Sequence, residues 1–251
     1  NHAASMMMGV DFRNLAPSIP TGRQPVKFYD FYMSNAAYRV RIALNLKGIE
    51  AEQIIVDLVA DEHQADWFEA LNPQRMLPIL EDSDITIAQS LPIIEYLEEA
   101  YPAPALLSSD TAGRAWTRSF AQSIVSDMHP LMGRRVRRYL ANQIGASAED
   151  IDGWYNNWIS TGLRGLEGML KARDDSAPFC HGETPTVADL CLVPQAYNAQ
   201  RFGCDMSLYP TVMSIVTTCN ALPAFADALP ENQPDWKPME GVIPGPTKAS
   251  R

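Results

Sequence analysis

The residues between the first predicted strand and the first predicted helix are the strongest candidates for chemistry. The segment Met33-Ser34-Asn35-Ala36 opens that helix, so Ser34 and Asn35 are the candidate catalytic residues. A helix N-terminus presents free main-chain amides and a partial positive charge, and it therefore stabilises an anion such as a thiolate. The Ser34 hydroxyl can donate one more hydrogen bond to that anion. Taken alone, however, a serine at this position is more typical of a plain helix cap.

Two further positions stand out in the first half of the chain. The pair Gln89-Ser90 lies where a predicted strand ends and a helix begins, and by itself Ser90 is again a helix cap. Pro78 interrupts a predicted strand, although proline cannot donate to a sheet ladder. A cis peptide bond between Leu77 and Pro78 would explain that placement.

Basic residues in the second half are candidates for binding an anionic ligand. A planar guanidinium binds a carboxylate with two parallel hydrogen bonds, so arginines are suited to this role. The run Arg134, Arg135, Arg137 and Arg138 is unusual in an acidic protein. We interpret Arg137 and Arg138 as a solvated face, and Arg135 and Arg134 as a second anion-binding group. The four histidines are too scattered to predict a metal site.

The pattern of apolar residues predicts two domains of different classes. Residues 26–104 alternate between strands and helices, which predicts an α/β domain with a mixed sheet. Residues 110–238 show helical spacing only, with predicted helices at Ala112–Tyr139, Asp150–Ala172, Val187–Ala199 and Pro210–Asn220. Thr186 and Asp189 form a capping box that opens the third of these. Residues 1–25 are interpreted as a flexible N-terminal extension and 239–251 as a C-terminal tail.

Composition narrows the classes of function. The chain has 251 residues and a net charge of −10, which argues against nucleic acid as a partner. No apolar run is long enough to cross a bilayer, and no signal peptide is visible, so we expect no membrane association. The four cysteines form no CxxC pair. That pattern is typical of buried thiols in a reducing compartment, so we expect a cytoplasmic protein.

Several motifs in a single order resemble the zeta class of glutathione transferases. The first domain contains Tyr38-Arg39-Val40-Arg41-Ile42-Ala43-Leu44-Asn45-Leu46-Lys47-Gly48, Leu71-Asn72-Pro73-Gln74 and Gln89-Ser90-Leu91-Pro92-Ile93. The second contains Asp189-Leu190-Cys191-Leu192-Val193-Pro194-Gln195 and Asn198-Ala199-Gln200-Arg201-Phe202. The stretch Asp127-Met128-His129-Pro130-Leu131 is most similar to bacterial maleylpyruvate isomerases within that class. The resemblance implies the glutathione transferase fold, a thioredoxin-like domain followed by an all-α domain, and a homodimer that uses glutathione.

The resemblance also implies roles for individual residues. Ser34 would activate the glutathione thiol, and Gln89 and Ser90 would hold the γ-glutamyl end. The main chain of Leu77, before Pro78, would pair with the cysteinyl part, since a cis-proline turn leaves that edge free. His129 would reach glutathione from the second domain, and His63 would meet the glycine carboxylate from a polar, exposed segment. Arg201 resembles the arginine that binds the carboxylate of an acidic substrate.

Two departures from the family leave the reaction open between alternatives. Met33 stands where related isomerases carry an arginine, and Met132-Gly133 replaces a pair of asparagines. The first hypothesis is a cis–trans isomerase of a maleyl-type dicarbonyl acid that works by reversible addition of the glutathione thiolate. The second is a transferase or dehalogenase acting on electrophilic substrates. A non-catalytic binding protein is the third, although retention of Ser34, Gln89 and Ser90 argues against it.

Overall fold

The chain divides into two structural units. The computed structural model describes residues 25–173 and 177–238, so the predicted tail and all but the last residue of the predicted extension lie outside it. Among the described residues, one unit contains residues 25–105 together with Asp227–Trp236, and the other is built on Leu106–Ala226. The predicted domains, 26–104 and 110–238, differ from these units chiefly because Asp227–Trp236 belongs to the first unit.

The first unit is a four-stranded mixed sheet with helices. Its strands are β1 (Val26–Asp30), β2 (Ala51–Ile55), β3 (Ile79–Asp82) and β4 (Ile85–Ala88), in the order β2-β1-β3-β4. β1 and β2 are parallel, whereas β3 is antiparallel to both β1 and β4. This is the thioredoxin-like arrangement that the sequence resemblance implied.

α1 (Asn35–Lys47) connects β1 to β2, the 3₁₀ turn Glu62–Gln64 and α2 (Asp66–Leu71) lie between β2 and β3, and α3 (Ser90–Ala100) follows β4. α1 ends at Gly48, whose φ of 63° is the left-handed conformation that glycine adopts without a steric penalty. The strand predicted from Met76 begins only at Ile79. It follows the peptide bond between Leu77 and Pro78, which is cis, the isomer that would explain a proline at this place.

The strand register aligns three connections at one edge of the sheet. Tyr29 of β1 pairs with Ile79 of β3, and Ile79 pairs with Ala88 of β4. Neighbouring strands lie about 4.8 Å apart, so this row spans roughly 10 Å. The β1–α1 loop, the cis-proline turn and the β4–α3 junction leave the sheet next to this row. The sheet therefore brings Ser34, Leu77-Pro78 and Gln89-Ser90 to the same edge.

The segment Asp227–Trp236 is held to the first unit by hydrogen bonds. The Ala228 carbonyl accepts from Arg41 Nε at 3.0 Å, and Asp235 Oδ2 accepts from the Tyr32 amide at 3.0 Å. Gln53 Nε2 lies 3.3 Å from Gln233 Oε1. We call Asp227–Trp236 the strap. No local pattern in the sequence predicts it, because its partners lie almost two hundred positions earlier.

The second unit is helical. Its α-helices are α4 (Thr111–Val125), α5 (Arg134–Tyr139), α6 (Ala148–Lys171), α7 (Val187–Arg201), α8 (Pro210–Asn220) and α9 (Pro223–Ala226). α7 packs against α4 and α8, and α6 packs against α8. The predicted capping box of α7 is confirmed, because Asp189 Oδ2 accepts from the Thr186 amide at 2.8 Å.

The helix predicted over Ala112–Tyr139 is wrong as a single element. α4 ends at Val125, a 3₁₀ turn follows at His129–Met132, and α5 begins only at Arg134. Pro130 has no amide proton to donate and blocks the preceding turn, and Gly133 adopts an extended conformation between the two pieces. The apolar spacing continues through this break, and for that reason the pattern alone did not reveal it.

The four cysteines are free thiols, and three of them are buried. Within residues 25–173 and 177–238, no helix combines the length and apolarity needed to span a membrane.

Candidate active site

Ser34 caps the N-terminus of α1. Its Oγ accepts a hydrogen bond from the Ala37 amide at 3.2 Å, and its own amide donates to the Phe31 carbonyl at 2.8 Å. No described residue accepts the Ser34 hydroxyl proton, and the amides of Asn35 and Ala36 donate to no described acceptor. This helix end therefore combines a free hydroxyl proton with free main-chain donors, which is the arrangement that binds an anion.

Asn35, the first residue of α1, carries a buried carboxamide. The residue is 6% exposed, and neither its Nδ2 nor its Oδ1 has a hydrogen-bond partner among the described residues. Leaving such a group unsatisfied costs about 1–3 kcal/mol. Natural proteins retain few groups of this kind, so a buried orphan beside Ser34 supports a functional role for this position.

Arg41 anchors the loop that carries Ser34. Arg41 Nη1 donates to both oxygens of the buried Asp30 carboxylate, at 2.7 and 2.9 Å. Its Nη2 donates to the Tyr32 carbonyl at 3.1 Å. Because Tyr32 lies two residues before Ser34, this buried ion pair fixes where α1 begins.

Met33 packs into an apolar cluster next to the cis-proline turn. The cluster contains Leu77 as well as Tyr29, Phe31, Tyr32, Val56, Phe68 and Ile79. The side chain that replaces an arginine of related isomerases therefore contributes to packing at this position. The Leu77 amide and carbonyl make no hydrogen bond with any described residue, so the main-chain edge predicted to be free is available.

Ser90 begins α3 and is 3% exposed. Its Oγ accepts a hydrogen bond from Arg39 Nη1 at 3.1 Å. Gln89, immediately before it, has a φ of 76°, an uncommon conformation for a residue other than glycine. Gln89 Nε2 donates to Gln74 Oε1 at 2.6 Å, which links this junction to the turn at Leu71-Asn72-Pro73-Gln74.

Two buried residues that position this site were not singled out from the sequence. Arg39 and Arg41 lie in a helix whose apolar spacing predicted ordinary packing, yet they are 0% and 5% exposed. The signal that could have identified them is a pair of charged residues inside an otherwise apolar stretch. Charged side chains are almost never fully buried unless they are paired, so such a pair indicates specific partners.

His63 is less exposed than expected. Its side chain is 12% exposed, with Nε2 4.0 Å from Asp61 Oδ1. The segment was predicted to be exposed because it is polar, but the 3₁₀ turn Glu62–Gln64 turns the imidazole inward.

The candidate residues of the second unit lie on three different elements. His129 begins the 3₁₀ turn before Gly133 and is half-buried, whereas Arg134 and Arg135 are exposed at the start of α5. Arg137 and Arg138 are exposed as well, as expected for a solvated face.

Arg201, the last residue of α7, belongs to a cluster with aromatic rings. Its guanidinium carbon lies 5.1 Å from the centre of the Phe202 ring, which packs 4.6 Å from the ring of Tyr155. Burial raises the pKa of Tyr155, and the positive charges of Arg137 and Arg201 partly oppose that rise. Arg137 and Arg201 therefore both lie near Tyr155, although sequence reasoning grouped Arg201 with Arg135 and Arg134.

Comparison with known proteins identifies the family. Residues 28–105 match the family described as glutathione S-transferase, N-terminal domain. The chain is 45% identical over 210 residues to a protein of Vibrio cholerae named "probable maleylacetoacetate isomerase", covering 82% of this chain and 96% of that protein.

Within the described part of this chain, no group of side chains is arranged to hold a metal ion.

Two solved structures are similar over almost their full length. A maleylpyruvate isomerase, described as a bacterial zeta-class glutathione S-transferase, has a TM-score of 0.82 and 42% identity, covering 83% of this chain and 99% of its own. A maleylacetoacetate isomerase of Methylobacterium extorquens, solved with malonate and glutathione bound, has a TM-score of 0.81 and 41% identity, covering 83% and 98%. This chain is a member of the zeta class of glutathione transferases.

Proposed function

We propose that this protein is a glutathione-dependent cis–trans isomerase of a maleyl-type dicarbonyl acid, either maleylpyruvate or maleylacetoacetate. The observation that carries the proposal is similarity over nearly the whole length of relatives named for these two reactions. One of them was solved with both glutathione and the dicarboxylate malonate, so a thiol cofactor and an acidic ligand are compatible with this fold.

The polar groups at the sheet edge fit glutathione. The Ser34 hydroxyl proton, the Asn35 carboxamide and the Leu77 main chain have hydrogen-bonding capacity that no described residue uses. Glutathione is a peptide with two carboxylates and a thiol that can ionise to a thiolate. It therefore offers acceptors for the donors at the N-termini of α1 and α3, and a peptide group for the Leu77 edge.

The role of Ser34 and the α1 N-terminus is to hold the cofactor sulfur as a thiolate. Bound glutathione supplies the nucleophile that adds reversibly to the activated double bond. A thiol with a pKa of about 8.5 is only a few per cent ionised at pH 7, and lowering that pKa by about two units requires roughly 2.7 kcal/mol. A charge-assisted hydrogen bond from Ser34 together with the helix end supplies stabilisation of this size. Asn35 completes the polar lining beside it.

The remaining cofactor contacts are proposed residue by residue. Leu77 and Pro78 present the main-chain edge to the cysteinyl part, and Gln89 and Ser90 hold the γ-glutamyl end. His129 and His63 contribute the contacts that the family resemblance implies.

Substrate recognition is assigned to arginines of the second unit. Arg201 binds a substrate carboxylate, with Arg135 and Arg134 as a further anion-binding group. Their positive charges also stabilise the negative charge that develops on the dicarbonyl group during the reaction. The proximity of Arg137 to Tyr155 adds positive potential near Arg201.

Two broader properties complete the proposal. The protein acts as a homodimer. Size-exclusion chromatography with light scattering tests this, and the expected mass is twice that of one chain. The protein works in the cytoplasm, an assignment supported by four free cysteines.

The experiment that tests the activity is a coupled assay with glutathione. Maleylpyruvate and maleylacetoacetate are compared with a neutral chloro-aromatic electrophile, because only the acids need the arginines. Rapid isomerisation of either acid, with glutathione required but not consumed, is the expected result. Activity on the chloro-aromatic alone would replace the isomerase with a transferase or dehalogenase, the reaction that the apolar Met33 would then favour.

A further inference from the structure

Arg39 stands out because it is the largest side chain that is completely buried. It lies on α1 five residues after Ser34, and its exposure is 0%. Transferring a guanidinium from water to the protein interior is costly unless its charge and donors are used. The Arg39 side chain reaches the N-terminus of α3, where its Nη1 donates a hydrogen bond to Ser90 Oγ at 3.1 Å.

This hydrogen bond determines what the Ser90 hydroxyl can do. Arginine has donors and no acceptor, so Ser90 must receive the bond on its oxygen. The Ser90 proton is then available for another acceptor, and no described residue accepts it. Ser90 is 3% exposed, so its proton is a buried donor whose possible directions are restricted by the hydrogen bond from Arg39.

The surroundings favour a carboxylate as that acceptor. α3 has eleven residues, and the amides of Ser90 and Leu91 at its start donate to no described acceptor. Free amides, a hydroxyl proton and a buried guanidinium bonded to Ser90 therefore lie together at the start of α3, and all of them carry positive charge or partial positive charge. They are matched by a single negative group with several oxygen acceptors.

We propose that Arg39 is a positioning residue for the γ-glutamyl α-carboxylate of glutathione. It orients the Ser90 hydroxyl toward the carboxylate and adds a buried positive charge behind it. The inference rests on the proposed binding of glutathione and adds a residue that does not itself touch the ligand. Because Ser34 caps α1 and Arg39 lies on it, α1 serves two parts of the cofactor, the central thiol directly and the γ-glutamyl carboxylate through Ser90.

The test measures selectivity for that carboxylate. Calorimetric titration compares glutathione with 4-aminobutanoyl-cysteinyl-glycine, which lacks only the γ-glutamyl α-carboxylate. Arg39→Met should weaken binding of glutathione by about ten- to a hundredfold and binding of the analogue by less than about threefold. Arg39→Lys, which retains the charge, should recover part of the selectivity.

Arg41→Lys is the matched control, because Arg41 is a buried arginine on the same helix that binds Asp30 instead of Ser90. It should change the affinities for both ligands by the same factor. Equal losses of both ligands in Arg39→Met, or a selective loss in Arg41→Lys, would overturn the role of Arg39.

A second measurement keeps the inference testable if Arg39→Met does not fold. Ser90→Ala leaves Arg39 in place and should lose the same selectivity, and adding Arg39→Lys to it should cause little further loss. A full additional loss in the double variant would contradict the proposal. Wild-type protein that does not bind glutathione would instead remove the proposed function itself.

Discussion

Single side chains at the start of α1 carry the chemistry proposed for this protein. Ser34 presents a hydroxyl proton beside two free amides, and Asn35 buries a carboxamide that has no partner among the described residues. Arg41 fixes the loop before them through Asp30. Charged and polar groups thus take places in α1 that a purely apolar pattern would have assigned to packing.

Ser34→Ala should raise the pKa of the bound glutathione thiol by about one to two pH units, because a hydrogen bond to a charged group is lost. Titration of the thiolate absorbance in the ultraviolet measures this pKa. Ser34→Thr keeps a hydroxyl and serves as the control, with a pKa near that of the wild type. An unchanged titration in Ser34→Ala would remove Ser34 from its role.

Arg201→Ala should raise KM for an acidic substrate by about tenfold or more, since it removes the guanidinium that binds a carboxylate. The KM for a neutral chloro-aromatic should change little. Steady-state kinetics on both substrates gives the comparison, and Arg138→Ala is the control for loss of an exposed arginine. Equal effects on the two substrates would exclude Arg201 from substrate binding.

At the scale of elements, one buried carboxylate joins two helices of the second unit. Glu167 of α6 accepts hydrogen bonds from the amides of Thr211 and Val212, at 3.1 and 2.9 Å, in the first turn of α8. Burial alone would raise the pKa of Glu167, but these hydrogen bonds and the one from Lys171 lower it overall. The ionised carboxylate therefore caps α8 from a neighbouring helix.

Glu167→Gln should lower the free energy of unfolding by about 1–3 kcal/mol at pH 7. Because the folded state holds this pKa below its unfolded value of 4.5, the stabilisation is present above pH 4.5 and is lost as the pH falls further. Urea unfolding of variant and wild type at several pH values measures the difference, which should shrink in acid.

Lys171→Gln is the control for the ion pair alone. The Lys171 side chain is 58% exposed, so its removal should cost less than about 1 kcal/mol. A Glu167→Gln difference that stays constant with pH would show that the carboxylate charge does not stabilise α8.

Local patterns predicted the elements well where apolar spacing and caps agree. The capping box at Thr186 and α8 lie at their predicted positions, since each depends on neighbouring residues. The break at His129-Pro130 was missed because apolar spacing continues through it. The burial of Arg39 also escaped local reasoning, because its partner Ser90 lies 51 positions away.

At the scale of the whole chain, the strap joins distant parts of the sequence into the first unit. Arg41 donates a hydrogen bond to the Ala228 carbonyl, and the Tyr32 amide donates one to the Asp235 carboxylate. Burial, followed by the nearby Asp30 charge, raises the pKa of Asp235. The loop that carries Ser34 therefore depends on residues almost two hundred positions later.

A variant that ends at Ala226 should destabilise the first unit by about 3–5 kcal/mol, because Arg41 and Tyr32 lose buried partners. Limited proteolysis should then cleave residues 25–105 sooner than it cleaves the helical unit. A variant that ends at Pro238 keeps the strap and is the control, with wild-type resistance. Equal resistance of both variants would show that the strap contributes no stability.

The strap also determines the order in which a newly made chain can be completed. The ribosome adds about 5–20 residues per second, and Asp227 follows Ala105 by roughly 120 residues, so it emerges about 6–24 seconds later. Residues 106–226, on which the helical unit is built, lie between the two parts of the first unit and are therefore synthesised before the strap. A nascent chain therefore acquires a fully anchored Ser34 loop only after residues 106–226 have been made.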